Sequence, residues 1–143
     1  MSVEQISVFI ENKEGRVKKA INTLAKSDIN IRALSVADST KYGILRLIVS
    51  DTERTIKALE DDGFLVKKNE VIIVKVPDEP NGLNSVLEIL DQNKINVEYI
   101  YAFITHKVDQ AVVVMRLEDM ENGKKLLKSK NAELLTEEDI KNL

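Results

Sequence analysis

Apolar and polar residues alternate over positions 5–11, which puts Ile6, Val8 and Ile10 on one face, and then the period changes. Such alternation predicts a half-buried strand, with Gly15 ending it. Val17, Ala20, Ile21, Leu24 and Ala25 follow at i, i+3, i+4, i+7 and i+8, so a helix with one apolar stripe is expected next. Asp28-Ile29-Asn30 breaks it. Residues 29–37 are expected to form a second strand and 38–41 a loop short enough for a hairpin. Residues 43–49, apolar on both faces, are expected to form a central third strand. Ser50-Asp51-Thr52 caps a second helix through Ile56 and Leu59, Gly63 ends it, and Phe64-Leu65-Val66 makes a short fourth strand. The order is βαββαβ.

The same pattern is then written again. At an offset of 66, Ile6, Val8 and Ile10 fall on Ile72, Val74 and Val76, and Ile29-Asn30-Ile31 falls on Ile95-Asn96-Val97. One inserted residue later the offset reads as 67, pairing Leu45 and Leu47 with Val112 and Val114, and Leu59 with Leu126. The second copy is expected to run as a strand at 71–76, a helix with Leu83, Val86, Leu87 and Leu90 inward, and strands at 95–104 and 111–117. A helix at 121–128 and a short strand at 133–135 complete it, and the polar tail 137–143 is expected to fray or form a terminal turn. Only residues 67–70 separate the copies, too few for an independent linker, so the two sheets are expected to lie against or beside each other. The fold class is therefore α+β: two ferredoxin-like βαββαβ modules in tandem, 1–69 and 70–143, each an antiparallel sheet with helices on one face. A pseudo-twofold pair with an extended sheet is the expected arrangement.

Composition limits the chemistry. The 143 residues, 43% apolar and 31% charged, suffice for one ordinary core or two small ones. A net charge of −3, with lysines interspersed among acids, offers no footprint for nucleic acid. The chain has no cysteine, which excludes disulfides, CxxC metal sites and thiol nucleophiles. The N-terminus carries no signal-like segment and no stretch reaches the roughly 20 apolar residues of a membrane helix, so a cytoplasmic protein without a membrane partner is expected. The single histidine, His106, lies in an expected loop with Lys107 and Asp109, and the acidic pairs Asp61-Asp62 and Glu137-Glu138 sit at a helix end and in the tail. No triad or arginine-bearing phosphate loop is visible. The expectation is a non-enzyme with no cofactor and no metal.

Two segments carry a family resemblance. Phe9-Ile10-Glu11-Asn12-Lys13-Glu14-Gly15-Arg16-Val17 and Val76-Pro77-Asp78-Glu79-Pro80-Asn81-Gly82-Leu83 resemble the strand-to-helix turn of ACT domains. The family pattern is Asp or Asn, a spacer, Pro, Gly, any residue and a branched apolar, then an amphipathic helix and a second strand opening with Ile-Asn-Ile or similar. The first copy has Glu14 in the proline place. The second has Pro80, then Asn81 in the glycine place with Gly82 one residue later. The resemblance covers essentially the whole chain. It implies small βαββαβ modules that bind amino acids and regulate metabolic enzymes.

The turn suits that chemistry, because free N–H groups and the positive end of a helix dipole favour a carboxylate, and glycine permits close approach. Gly15, Arg16 and Val17 are candidates for the ligand carboxylate in the first copy, and Asn81, Gly82 and Leu83 in the second. Asn12 or Asp78, with Asn30-Ile31 or Asn96-Val97 at the start of strand two, would receive the ammonium. The same residues are also ordinary turn formers, and Asn30 and Asn96 could serve only to begin their strands. Tyr99, Tyr101 and Phe103 alternate with Ile100, Ala102 and Ile104. A strand covered on both faces, by its own helices and by another sheet or subunit, is expected there, together with a homodimer. The expected function is sensing of a small amino acid at an interface of two ACT-like modules, with the effect passed to a separate metabolic enzyme or regulator. The alternative is a protein–protein interaction module whose degenerate turns bind nothing.

Overall fold

The computed structural model describes residues 3–38, 41–104 and 110–143, and contacts divide it into two units, Glu4–Asn69 and Glu70–Leu143 with Val3. The expected loop residues Ser39 and Thr40, and His106, Lys107 and Asp109, lie outside the described residues. Among the described residues no helix is long and apolar enough to cross a membrane.

In the first unit β1 (Val3–Glu11) is followed by α1 (Arg16–Lys26), β2 (Ile31–Asp38), β3 (Tyr42–Val49), α2 (Thr52–Asp61) and the opening of β4 (Leu65–Pro77). The strand order is β2-β3-β1-β4, so β3 is central as its two apolar faces require. Leu47 stands across from both Ile6 and Leu34, and Leu45 from both Val8 and Val36. Ile6, Val8, Ile10, Leu24, Leu45, Leu47, Leu59 and Phe64 form one core under the helices. The α1 stripe is narrower than its pattern. Ala20 and Leu24 are buried and Ile21 half-buried, but Val17 and Ala25 are exposed, beyond the reach of the sheet. Thr23 is buried in their stead, with its hydroxyl shared between the Lys19 carbonyl (3.0 Å) and the Asp62 carboxylate (2.5 Å).

The rest of β4 opens the second unit, which continues with α3 (Gly82–Gln92), β5 (Val97–Ala102), β6 (Gln110–Leu117), α4 (Met120–Ser129), β7 (Glu133–Leu134) and α5 (Glu137–Lys141). Its order is β5-β6-β4-β7, the arrangement of the first unit repeated. Bounds of α1 and α3 differ by 66, but those of β3 and β6, and of α2 and α4, differ by 68. Two residues are therefore inserted between the start of β5 and β6, where one was expected. Leu45, Leu47 and Leu59 correspond to Val113, Met115 and Leu127, which line the second core, and not to Val112, Val114 and Leu126. Side chains alternate across a strand, so a slip of one residue would turn the core face outward, whereas two preserve it.

Three other expectations change. Residues 67–70 are not a separator but part of the 13-residue β4. Their polar side chains find partners without deep burial: Lys68 bridges Glu4 and Glu53 at 3.4 Å each, and Lys67 lies 5.7 Å over the Phe9 ring. Asn69 accepts from the Ser7 hydroxyl at 2.6 Å. Such polar pairing hides the strand character of this segment from a hydrophobic pattern. β5, by contrast, is an edge strand, and its own helices do not cover it. Ile100, across from Met115 on the helix side, is 38% exposed and Ile104 is 59% exposed, while Tyr99 and Tyr101 stack at 6.4 Å on the opposite face and Phe103 is buried.

The tail does not fray. Thr136 and Asp139 form a reciprocal capping box, and Ile140 is buried at 2% exposure. The Asp139 carboxyl is held below its ordinary value, first by the Thr136 backbone N–H and then by the Thr136 hydroxyl. A depressed folded value means that the cap is complete above the usual carboxylate range and is lost as pH falls below that range, through the depressed value. Protection factors of the α5 amides are expected to drop on such acidification. In Asp139→Ala they should be low throughout, with no such step.

Candidate functional site

Both strand-to-helix turns fold alike. The N–H of Lys13 donates to the Glu11 carbonyl and that of Glu79 to the Pro77 carbonyl, each at 2.9 Å, and Gly15 and Asn81 stand at the two helix starts. No side chain caps either helix. By contrast α2, α4 and α5 are capped by Asp51, Asp119 and Thr136. The N–H groups at the starts of α1 and α3 thus lack the side-chain acceptor that the other helices carry.

The two turns differ in detail. Gly15 is left-handed (φ 86°) with nothing within 4 Å of where a Cβ would stand. Asn12 is exposed and its N–H donates to the Lys41 carbonyl at 2.9 Å. Arg16 is half-buried, paired with Glu11 at 3.5 Å and 5.9 Å over the Phe64 ring, and Val17 is exposed. In the second turn Asp78 and Asn81 are exposed, and Asn81 accepts from the Asn84 amide at 3.1 Å. Leu83 packs partly into the core. Gly82 is buried, and a Cβ there would lie 2.0 Å from the Pro77 carbonyl oxygen. This glycine is required by the fold of the turn, so the expectation that it opens the backbone to a ligand is corrected.

Asn30-Ile31 and Asn96-Val97 are not beside the turns. β1 and β2 both run antiparallel to β3, with Glu11 across from Tyr42 at one end and Ile31 across from Val49 at the other. β4, β5 and β6 repeat this, with Pro77 across from Gln110 and Val97 from Leu117. The 11 residues of α1 or α3 span about 16 Å between the two groups. A single unit therefore cannot hold one small zwitterion between its turn and its own second strand. Asn30 and Asn96 are exposed and accept, through their carbonyls, from the N–H groups of Ser50 (3.2 Å) and Glu118 (3.0 Å), while Ile31 and Val97 pack against the two cores.

Asn96 instead borders a cleft of about 480 Å³ between the end of α3 and the start of α4, with Asn93, Lys94, Glu118, Asp119, Asn122 and Leu126 around it. Apart from Leu126, these residues carry no signal in the sequence, since each is an ordinary residue at the end of a helix or strand, and only the repeat at its true offset singles them out. Among the described residues no three His, Asp or Glu side chains converge as metal ligands.

A family model described as an ACT domain pair matches residues 1–143. A crystal structure of a protein from Bacteroides thetaiotaomicron is 37% identical, covers 100% of this chain and 98% of that one, and superposes with a TM-score of 0.92. The ligand-free regulatory subunit of aspartate kinase from Thermus thermophilus is 15% identical over 90% of each chain, with a TM-score of 0.67. That from Thermus flavus is 15% identical over 90% of each chain, with a TM-score of 0.61. The two Thermus likenesses show the fold alone. No protein of curated function matches.

Proposed function

Because the chain belongs to the ACT domain pair family, we propose that it is a regulatory protein, not an enzyme, that senses a small amino acid where two such modules meet. The observation that carries this is the pair of equivalent helix starts without side-chain caps, where the three other helices among the described residues are capped. A ligand carboxylate would accept from the N–H groups of residues 15–17 in the first turn, or from those of Asn81 and Leu83 in the second, where the Gly82 N–H already donates to the Glu79 carbonyl at 2.9 Å. Since a turn and its own second strand stand apart, Asn30-Ile31 or Asn96-Val97 would receive the ammonium only from a different module. Asn12 or Asp78 would assist at the turn. The regulatory subunits among similar structures support an output through a separate enzyme or regulator. Exposed Leu34 and Val36 on β2, and Ile100 and Ile104 at β5, support a homodimer through an edge strand.

The two turns should be unequal, because Asn12 is neutral and Asp78 charged, and a carboxylate beside the ammonium adds about 1.5–3 kcal/mol in a dry site. A thermal-shift screen of the twenty amino acids finds the ligand, since about 100 times its Kd adds roughly 2.7 kcal/mol. In calorimetric titration Asn12→Ala and Asp78→Ala should then weaken binding by different amounts. Gly15→Asn, which tolerates the left-handed backbone, should obstruct the first turn. Light scattering of the same samples should give a dimer. Unchanged affinity and stoichiometry in all three variants would leave the interaction-module reading in its place.

A further inference from the structure

In the first unit a side chain lies across the place that is open in the second. Arg54, in the first turn of α2, donates from its guanidinium to the carbonyl of Ser27, the residue that ends α1, and lies 4.0 Å from the Asp51 carboxylate. The repeat puts Asn93 at Ser27, Asp119 at Asp51 and Asn122 at Arg54. The carbonyl that accepts from the guanidinium and the carboxylate that lies beside it are thus kept, and the guanidinium is not. Asn122 is too short to cross, and its amide turns back to Asp119 at 2.7 Å. The residues corresponding to Ser27, Asp51 and Arg54 all line the cleft of about 480 Å³.

The field of the cleft agrees. α3 ends without a basic residue in its last turn, where α1 carries Lys26, so the negative end of its dipole is unmatched within the helix. Glu118 adds a second carboxylate to that of Asp119, and Lys94 brings one cation to the same lining. Neither Glu118 nor Lys94 is in an ion pair among the described residues.

We propose that this cleft binds a small ligand bearing a guanidinium group, seated as Arg54 is in the first unit, on the Asn93 carbonyl and the Asp119 carboxylate. A planar fork of donors matches a carbonyl and a carboxylate at once, where an ammonium offers a single point of charge. A ligand carboxylate has Lys94 within the same lining, so free arginine provides a partner for each charge. The site is separate from the helix-start turns and does not depend on the function proposed for them.

The test is a titration of the full chain with free arginine, read as amide shifts in nitrogen-edited NMR. Shifts are expected at residues 93–96 and 118–122, and not with citrulline, its neutral isostere, at equal concentration. Asn122→Arg, which places in the second unit the side chain that the first already accommodates, should abolish them. Arg54→Asn should open the corresponding place and add arginine-dependent shifts at Ser27, Asn30 and Asp51. No shift at residues 93–96 and 118–122, equal shifts with citrulline, or shifts that persist in a folded Asn122→Arg would each overturn the proposal. Should Asn122→Arg fail to fold, the arginine–citrulline comparison on the unaltered chain decides.

Discussion

Replacing Gly82 by alanine is expected to destabilise the second unit by about 2–3 kcal/mol or more, read as a fall of several degrees in Tm. The added Cβ would stand 2.0 Å from the Pro77 carbonyl oxygen and 3.1 Å from its carbon, both backbone atoms that cannot rotate away. Either the Pro77–Gly82 turn opens or the first residue of α3 leaves the helix. Gly15→Ala is the comparison, since there the cost is the left-handed backbone alone, about 1–2 kcal/mol, with open space around the new methyl. A Gly82→Ala protein more stable than Gly15→Ala would show that the turn yields more readily than its geometry implies. The same contact explains why a bulky residue at Gly82 is no clean block of a ligand: the turn would be lost along with the site.

Leu127→Ala should cost about 2–5 kcal/mol, while Leu126→Ala should cost clearly less. Leu127 is fully buried among Met115, Leu117 and Leu90, whereas Leu126 is only partly covered and borders the cleft. Urea titrations of the two variants measure the difference directly. Equal losses would return the second half of the repeat to an offset of 67 and remove the correspondence of Asn122 with Arg54. The strand residues are less decisive, because Val112 and Val114 are also buried, on the opposite face from Val113 and Met115.

Much of the candidate site was legible as residue types but not as an assembly. The helix starts after Asn12 and Asp78 follow from glycine, polar turn residues and the change of period. That neither helix has a side-chain cap could not be read, because Asn81 is a favoured cap type and yet gives its oxygen to Asn84. The Thr136-x-x-Asp139 box is hidden by the polarity of the tail, in which only Ile140 is buried.

The sequence by itself determined the two βαββαβ units, the central place of β3, the cap at Asp51 and the stop at Gly63, because periodicity and turn chemistry act over a few residues. Tertiary structure alone decided the offset of 68, since an insertion between strands is resolved by which face meets the core and not by residue likeness. It also decided that residues 67–70 are strand, because their partners Glu4, Ser7, Phe9 and Glu53 lie far away in the chain. Finally, it placed Asn30 and Asn96 at the far ends of their units from Gly15 and Asn81. Residues that a linear motif lists together are set apart by the length of the helix between them, and only the direction in which each strand pairs with its neighbour reveals this.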